Sequence, residues 1–326
     1  MKDVGIVGHP YSGKTTLFTA ITRAHAVGGR ANQAVVEVPD TRLEVLAGIT
    51  GSPRIVPARV RFVDVPGGLT ARHIAEYREM DALCIVVRAF GPDADPTSEV
   101  DSITSELVLA DLGTVEPALD RAAKRTKGDT QGAAELEVLK RAHAALEEER
   151  LLRDEGFGED EIHSLKGYGL LTLKPWVVVA NSEEDATPPT GLPGRALALS
   201  AEIEAEVAGM DPAEAAELLS GFGITEPGAA RVITACYQTL DLITFLTADD
   251  KGANAWQVGR GAKTPEAAGV IHSDMERGFI RAEAISFDDL AASGSWDEAR
   301  RLGLVRVEGK DYVVQEGDVL HIRFAV

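Results

Sequence analysis

Cysteine is nearly absent from this chain: Cys84 and Cys236 are the only two in 326 residues. A disulfide framework is therefore not expected, and a reducing cytoplasm is the expected home. Cys84 lies inside the apolar run 82–87, where a small buried hydrophobe is the natural reading. No apolar run approaches the ~18 residues of a membrane span, so no membrane partner is expected. The chain enters a β-prone apolar segment at Val4, so no signal peptide is expected. Basic residues are also scarce: 33 Lys and Arg face 52 Asp and Glu, a formal charge of −19. Neutralising phosphates needs clustered Lys and Arg, so a general nucleic-acid surface and DNA as a partner are not expected. A local patch, such as Lys124, Arg125 and Lys127, stays open. The acidic stretches 147–149 and 159–161 read as solvated helix faces.

What the chain does have begins at Gly8. Gly8-His9-Pro10-Tyr11-Ser12-Gly13-Lys14-Thr15 spells the phosphate-binding pattern G-x-x-x-x-G-K-[ST]. An apolar strand, Val4-Gly5-Ile6-Val7, precedes it, and a helix opening at Thr16 follows. Glycines let backbone N–H groups turn inward around phosphate oxygens, and the helix N-terminus adds partial positive charge. Lys14 is placed to reach the β- and γ-phosphates and the Thr15 hydroxyl to hold Mg2+. Tyr11, Ser12, Gly13 and Thr16 complete the expected phosphate contacts.

Further strands are expected at 34–38, 60–63, 81–87, 174–180 and 196–199, alternating with helices as in an α/β sheet. Polar motifs fall at their carboxyl ends, where such sheets bind ligands. The second strand ends in Asp64-Val65-Pro66-Gly67, a D-x-x-G whose carboxylate can reach Mg2+ beside a γ-phosphate. Between 87 and 176 two helical stripes, Ile103-Leu107-Ala110-Leu112 and Leu136-Leu139-His143-Leu146-Arg150, predict an antiparallel hairpin that projects as an arm. Its turn falls at Thr126-Lys127-Gly128-Asp129, and Gly113 with Pro117 is expected to bend or interrupt the first arm. A helical stretch from Pro212 to about Leu240 leads to a change of texture. Short strands at 255–258, 279–285, 312–314 and 319–324 then predict a small α+β domain. The expected division is 1–100 and 166–240 for the nucleotide-binding part, 101–165 for the hairpin and 241–326 for the last domain.

Guanine-specific P-loop switches carry Asn-Lys-x-Asp after the penultimate strand, whose Asp accepts two guanine N–H bonds. Here the segment reads Asn181-Ser182-Glu183-Glu184, without the Lys and with a longer acid last. Adenine has neither the N1–H nor the 2-amino group, so guanine selection is expected to weaken. The last strand of this sheet ends in Ser200-Ala201, a further expected contact.

These features together resemble the YchF-type, Obg-like ATPases, a branch of the translation-factor-related P-loop proteins, over nearly the whole chain. The likeness runs from Gly8–Phe18 through Val38-Pro39-Asp40-Thr41-Arg42-Leu43, 81–90, 106–112 and 181–184. It is most specific in Thr264–Asp274, Gly278–Glu283 and Glu308–Val314, which match that family's TGS domain. The resemblance implies a P-loop NTPase sheet with an inserted helical hairpin and a C-terminal, ubiquitin-like TGS domain. It implies an ATP-binding, slowly hydrolysing switch, with Mg2+, with GTP the weaker ligand and with a ribosome or ribosomal RNA as partner. Phe90 would pack on the adenine face, and Asn181, Ser182 and Glu184 would stand at the base edge. Two alternatives stay open: a nucleotide-dependent binding module with negligible hydrolysis, and a GTPase of the same family.

Three departures bear on hydrolysis. Tyr11 stands where the family carries an Asn, which in related switch ATPases and GTPases helps hold a potassium ion. The switch I threonine that completes Mg2+ is missing: Gly29 or Arg30 falls near its position, and no Thr lies between Thr22 and Thr41. After D-x-x-G the family places a hydrophobic residue and a long Gly-rich loop. Here Gly68 comes first, Leu69 takes the catalytic hydrophobic position shifted by one, and the loop is short. Arg72 or His73 could orient water or stabilise charge, against a plain role in starting a helix.

Overall fold

The computed structural model describes residues 1–23, 31–65, 67–125, 130–183, 187–194 and 196–325. The expected switch I position at 29 or 30, the hairpin turn at 126–129 with Lys127, and Glu184 all lie outside the described residues. By its contacts the chain divides into two compact units. One is Met1–Val36 with Arg61–Thr239, and the other is Glu37–Val60 with Leu240–Val326. The second unit thus takes in 24 residues from early in the chain, ahead of its C-terminal stretch.

In chain order the elements begin β1 (Lys2–Val7), α1 (Lys14–Thr22), β2 (Asn32–Glu37), α2 (Arg42–Thr50), β3 (Ile55–Val56), β4 (Arg59–Asp64), α3 (Ala71–Arg78) and β5 (Ala82–Arg88). Two long helices follow, α4 (Pro96–Arg125) and α5 (Thr130–Glu147), then α6 (Glu159–Lys166), β6 (Trp176–Asn181), β7 (Ala196–Leu199), α7 (Ala201–Val207), α8 (Pro212–Gly221) and α9 (Gly228–Thr239). The rest is β8 (Leu242–Ala248), β9 (Ala253–Gly259), α10 (Thr264–Ile271), α11 (Ser273–Arg277), β10 (Phe279–Ser286), α12 (Phe287–Ser293), α13 (Trp296–Arg301), β11 (Arg306–Glu308) and β12 (Asp318–Phe324).

Among the described residues the first unit's sheet runs β2-β4-β1-β5-β6-β7. β1, β5, β6 and β7 are parallel, in the register Ile6↔Cys84, Cys84↔Val177 and Val178↔Ala196. β5 is apolar and buried at every position from Ala82 to Val87, as a strand covered on both faces must be. Cys84 and Cys236 are both buried and free. With β1 flanked by β4 and β5, the strand order reverses at β1. The loops at the carboxyl ends of these strands therefore meet over one crevice.

α4 starts on this core through Val100, Ile103 and Leu107 and continues into a second cluster. It runs unbroken through Gly113 and Pro117, so the expected interruption is absent. Pro117 removes one N–H and its ring crowds the carbonyl four residues back. That residue is Gly113, with open space where its Cβ would stand. Burial of Val115 and Ala118 on either side holds the helix through this point. In α5 the seam is Leu139, Ala142, Ala145 and Leu146; His143 is half-buried and Arg150 exposed. Leu152, Phe157, Leu165 and Leu170 join the same cluster, so the hairpin carries a core of its own.

The stretch expected as one helix from 212 to 240 is two. Asp211 caps α8 by accepting the Ala213 N–H at 2.9 Å, and the chain breaks where Gly223 takes φ +73° ahead of Pro227.

The second unit's sheet runs β11-β10-β12-β8-β9-β3. Its core joins Ile243, Phe245, Ala267, Ala284 and Leu320. The expected strand at 312–314 contributes one bridge, Lys263↔Val313. Its backbone bonds go to the loop before α10, with Thr264 N–H to Tyr312 O and Val314 N–H to Ala262 O both at 3.0 Å. Among the described residues it joins no strand pairing beyond that bridge.

Candidate functional site

The loop from Gly8 to Thr15 joins β1 to α1 and is shaped by two glycines. A Cβ on Gly8 would overlap the Val86 carbonyl oxygen and crowd the Ser12 hydroxyl. Gly13 begins α1 at φ +91°, and a Cβ there would overlap the Asn181 amide nitrogen. Tyr11 also sits in the left-handed region, at φ +67°, with its side chain 93% exposed. Lys14 is 5% exposed and its Nζ donates to the carbonyls of Gly8 at 2.8 Å and His9 at 2.9 Å. Burial pushes its ammonium below the usual lysine range, against the opposing pull of Asp64 and Glu99. A buried cation at a helix N-terminus, ringed by backbone, is an anion site in waiting.

Thr15 and Asp64 meet beside it. The Thr15 hydroxyl donates to Asp64 Oδ2 at 2.9 Å. Asp64 is fully buried at the end of β4, and its Oδ1 has no hydrogen-bond partner among the described residues. Burial pushes this carboxyl up, and the Thr15 hydroxyl, the Lys14 charge and the Asn32 side chain pull the other way. A hydroxyl next to a carboxylate with an orphaned oxygen is an all-oxygen donor pair of the kind that Mg2+ takes alongside phosphates and water. Thr16, one residue on, is exposed on the first turn.

Asn181 closes the loop from the far side. Its Nδ2 donates to Ser12 O at 3.1 Å, and its Oδ1 accepts the Ala201 N–H at 2.9 Å. Both ends of its amide are thus engaged within the protein, tying the phosphate loop to the β7–α7 connection. Ser182 N–H donates to Leu199 O at 2.9 Å. Ser200 is buried and caps α7 by accepting the Ile203 N–H at 3.4 Å, with Ala201 buried beside it. Half-buried Phe90 sits after β5, and the turn that carries it is pinned twice. Ala89 N–H donates to Asn181 O at 2.7 Å, and Gly91 N–H donates to Glu183 Oε1 at 3.1 Å. Glu183 appeared in the sequence only as a spacer of N-x-x-E. Its contact is with a residue 92 positions away, and no local pattern announces it.

Residues 68–73 fold back on themselves, with the Thr70 N–H donating to Gly68 O at 2.9 Å. Leu69 is half-buried and packs against the core cluster of Val63, Val65 and Ile85. Thr70 caps α3 by accepting the His73 N–H at 3.4 Å. The His73 ring turns back, placing Nδ1 2.7 Å from the Gly68 carbonyl. Arg72 points outward, 87% exposed, with Glu76 at 3.7 Å.

The chain is similar to known proteins along its whole length. The family model described as a 50S ribosome-binding GTPase matches residues 3–116, covering the phosphate loop and Asp64. The YchF-GTPase C-terminal model, described as a protein of unknown function, matches residues 242–325. The chain is 40% identical over 358 residues to the ribosome-binding ATPase YchF of Haemophilus ducreyi, covering 99% of both. It is 39% identical over 361 residues to the protein of the same name from Bacillus subtilis, again covering 99% of both. The solved structure of the Schizosaccharomyces pombe YchF GTPase superposes with a TM-score of 0.88 at 26% identity, covering 99% of this chain and 97% of that one. Likeness of this depth across the full length means that the chain belongs to the YchF family.

Proposed function

We propose that this protein is an ATP-binding, slowly ATP-hydrolysing switch that acts in the cytoplasm on ribosomes. The observation that carries the reading is the meeting of Lys14, Thr15 and the orphaned Asp64 oxygen at the loop before α1. Lys14 would leave the Gly8 and His9 carbonyls for the β- and γ-phosphates. The backbone amides from Tyr11 to Thr16 would cradle the remaining phosphate oxygens. Thr15 and Asp64 would hold Mg2+, which when bound neutralises charge on the phosphates. Asn181 keeps the loop at its station, and Phe90, fixed by Ala89 and Gly91, would stack on the base. Ser182, Ser200, Ala201 and Glu184 would border the base edge, and the missing Lys of the guanine pattern favours adenine. Ribosome association is taken from the names of the relatives. The surface used would have to be a local one on a chain of charge −19. The division into sheet, inserted hairpin 101–165 and a TGS domain over 241–326 is part of the same proposal, with 37–60 added to the last by its contacts.

A single-turnover assay with ATP and Mg2+ tests it. Lys14→Ala is expected to abolish turnover and to weaken nucleotide affinity at least tenfold, with ATP displacing labelled nucleotide better than GTP does. Equal turnover in variant and parent would remove the reading. One observation favours a second reading, a nucleotide-dependent binding module with negligible hydrolysis: Gly68 offers no side chain and Leu69 is committed to the core. ATP bound without measurable conversion would select that alternative.

A further inference from the structure

We propose that His73 is the residue that orients and deprotonates the attacking water, acting through Nε2; the inference rests on the ATP-hydrolysing reading above. The start of α3 does not need its side chain, because the Thr70 hydroxyl already accepts the His73 N–H. The ring is turned instead onto the segment that follows Asp64. Nδ1 lies 2.7 Å from the Gly68 carbonyl, and Cε1 lies 3.2 Å from where a Cβ on Gly67 would stand. A carbonyl oxygen only accepts, so Nδ1 carries the proton of this hydrogen bond, and the neutral ring keeps its lone pair on Nε2. Nε2 has no hydrogen-bond partner among the described residues.

The same segment borders the phosphate loop: a Cβ on Gly68 would stand 3.7 Å from Pro10 Cδ. The segment's other side chains are unsuited to the task. Gly67 and Gly68 have none, Leu69 packs into the core, and the Thr70 hydroxyl caps α3. Arg72 is turned to solvent beside Glu76. Within residues 67–73, His73 is therefore the side chain with a free acceptor, held on the Gly68 carbonyl of the segment that borders the loop that would hold the γ-phosphate. In the step, the water oxygen bonds to the γ-phosphorus as its proton passes to Nε2. The bond from that phosphorus to the β–γ bridging oxygen breaks, its electron pair stays on ADP, and the ring then returns its proton to solvent or phosphate. Positioned general bases contribute roughly 10²–10⁴ in rate.

The test uses single-turnover ATP hydrolysis and fluorescent-ATP affinity on the full chain with three variants. In His73→Asn the amide nitrogen takes the place of Nδ1 and can still donate to Gly68. In His73→Gln the amide reaches the Nε2 position, and His73→Ala has neither. Asn and Ala are expected to lose about a hundredfold or more in rate with affinity changed less than about twofold. Gln should keep more of the rate, and added imidazole should restore part of it to Ala. An Asn variant at the parent's rate, or affinity falling in step with rate, would overturn the assignment and leave a purely structural histidine. A parent that binds ATP without hydrolysing it overturns the assignment and selects the binding-module reading. A parent that binds no ATP removes the proposed function itself.

Discussion

At the scale of single residues the site is held in a state that costs the folded protein stability. Asp64 is the clearest case: it is fully buried, with one oxygen bonded by Thr15 and the other unpartnered. An unsatisfied buried polar group costs about 1–3 kcal/mol, and more when charged. Burial raises the Asp64 carboxyl above its ordinary value, so the folded protein takes up a proton where the unfolded chain has already lost it. Between the two values stability falls as pH rises, and above the folded value the whole cost is present. Asp64→Asn is therefore expected to raise the melting temperature of the nucleotide-free protein at pH 7. The rise is about 2–4 °C for each kcal/mol recovered. The gain should shrink as the pH falls through the raised value, where the parent becomes neutral too. The same variant should lose Mg2+-dependent nucleotide affinity. Thermal scans across pH, with and without Mg-ATP, separate the two effects, and a variant that melts lower at pH 7 would contradict the account. Most of this site was legible in the sequence, because Lys14, Thr15 and Asp64 sit in patterns whose spacing follows from phosphate chemistry. The engagement of both ends of the Asn181 amide, and the turn of His73 back to Gly68, were not. Each depends on where a distant backbone group lies.

At the scale of elements, one buried carboxylate fixes the long helix α4 to the rest of its unit. Asp111 is fully buried. It accepts the Leu171 N–H at 3.0 Å, and the Thr172 N–H and hydroxyl both at 2.7 Å. Arg78 from the end of α3 donates to it at 3.1 Å and to the carbonyls of Gly169 and Ala110 at 2.8 Å. Helix α4, helix α3 and the approach to β6 are thus locked at one point, between the sheet core and the hairpin core. Removing one partner of such a buried charge pair costs about 3–5 kcal/mol, since the other charge is left uncompensated. Asp111→Ala is expected to lower unfolding free energy by about that amount, read from the urea midpoint. Asp111→Asn, which keeps one acceptor, should fall between variant and parent. A loss under about 1 kcal/mol would mean that water or rearrangement replaces the lock. The apolar periodicity announced both hairpin helices, but it did not reveal the role of Asp111, which depends on where Arg78, Leu171 and Thr172 lie.

At the scale of the whole molecule, the α/β sheet was readable because strands such as β1, β5 and β6 are largely local apolar runs, with polar motifs at the sheet's carboxyl ends. The second unit was readable only in part. Its C-terminal texture predicted a small α+β domain, whereas the contribution of 37–60 was invisible, since β3 pairs with a strand about 200 residues further along the chain. Ile55 stands opposite Ala253 and Val56 opposite Asn254. Around that pairing the Ala253 N–H donates to Arg54 O at 2.9 Å and Gln257 Nε2 to Arg59 O at 2.7 Å. Arg42 bridges Asp40 at 2.7 Å and Glu316 at 2.8 Å, and both carboxylates hold its guanidinium above the usual range. Helix α2 buries Leu43 and Leu46 almost completely, and it contacts β3, β8, β9 and α12. Burying a leucine side chain contributes about 1.5–3 kcal/mol, a large share of the 5–15 kcal/mol that typically holds a domain together. A fragment of residues 241–326 has the composition of a complete small domain but lacks β3 and α2. It leaves β9 as an open edge and uncovers the apolar face on which Leu43 and Leu46 rest. Such a fragment is expected to be poorly folded or to self-associate, with shallow denaturant unfolding. Joining residues 37–60 to it by a flexible linker should restore a cooperative transition. Circular dichroism and size-exclusion chromatography of the two fragments decide the matter. A lone 241–326 that is monomeric and unfolds as sharply as the joined form would show that the early segment is an ornament on the second unit rather than part of its core.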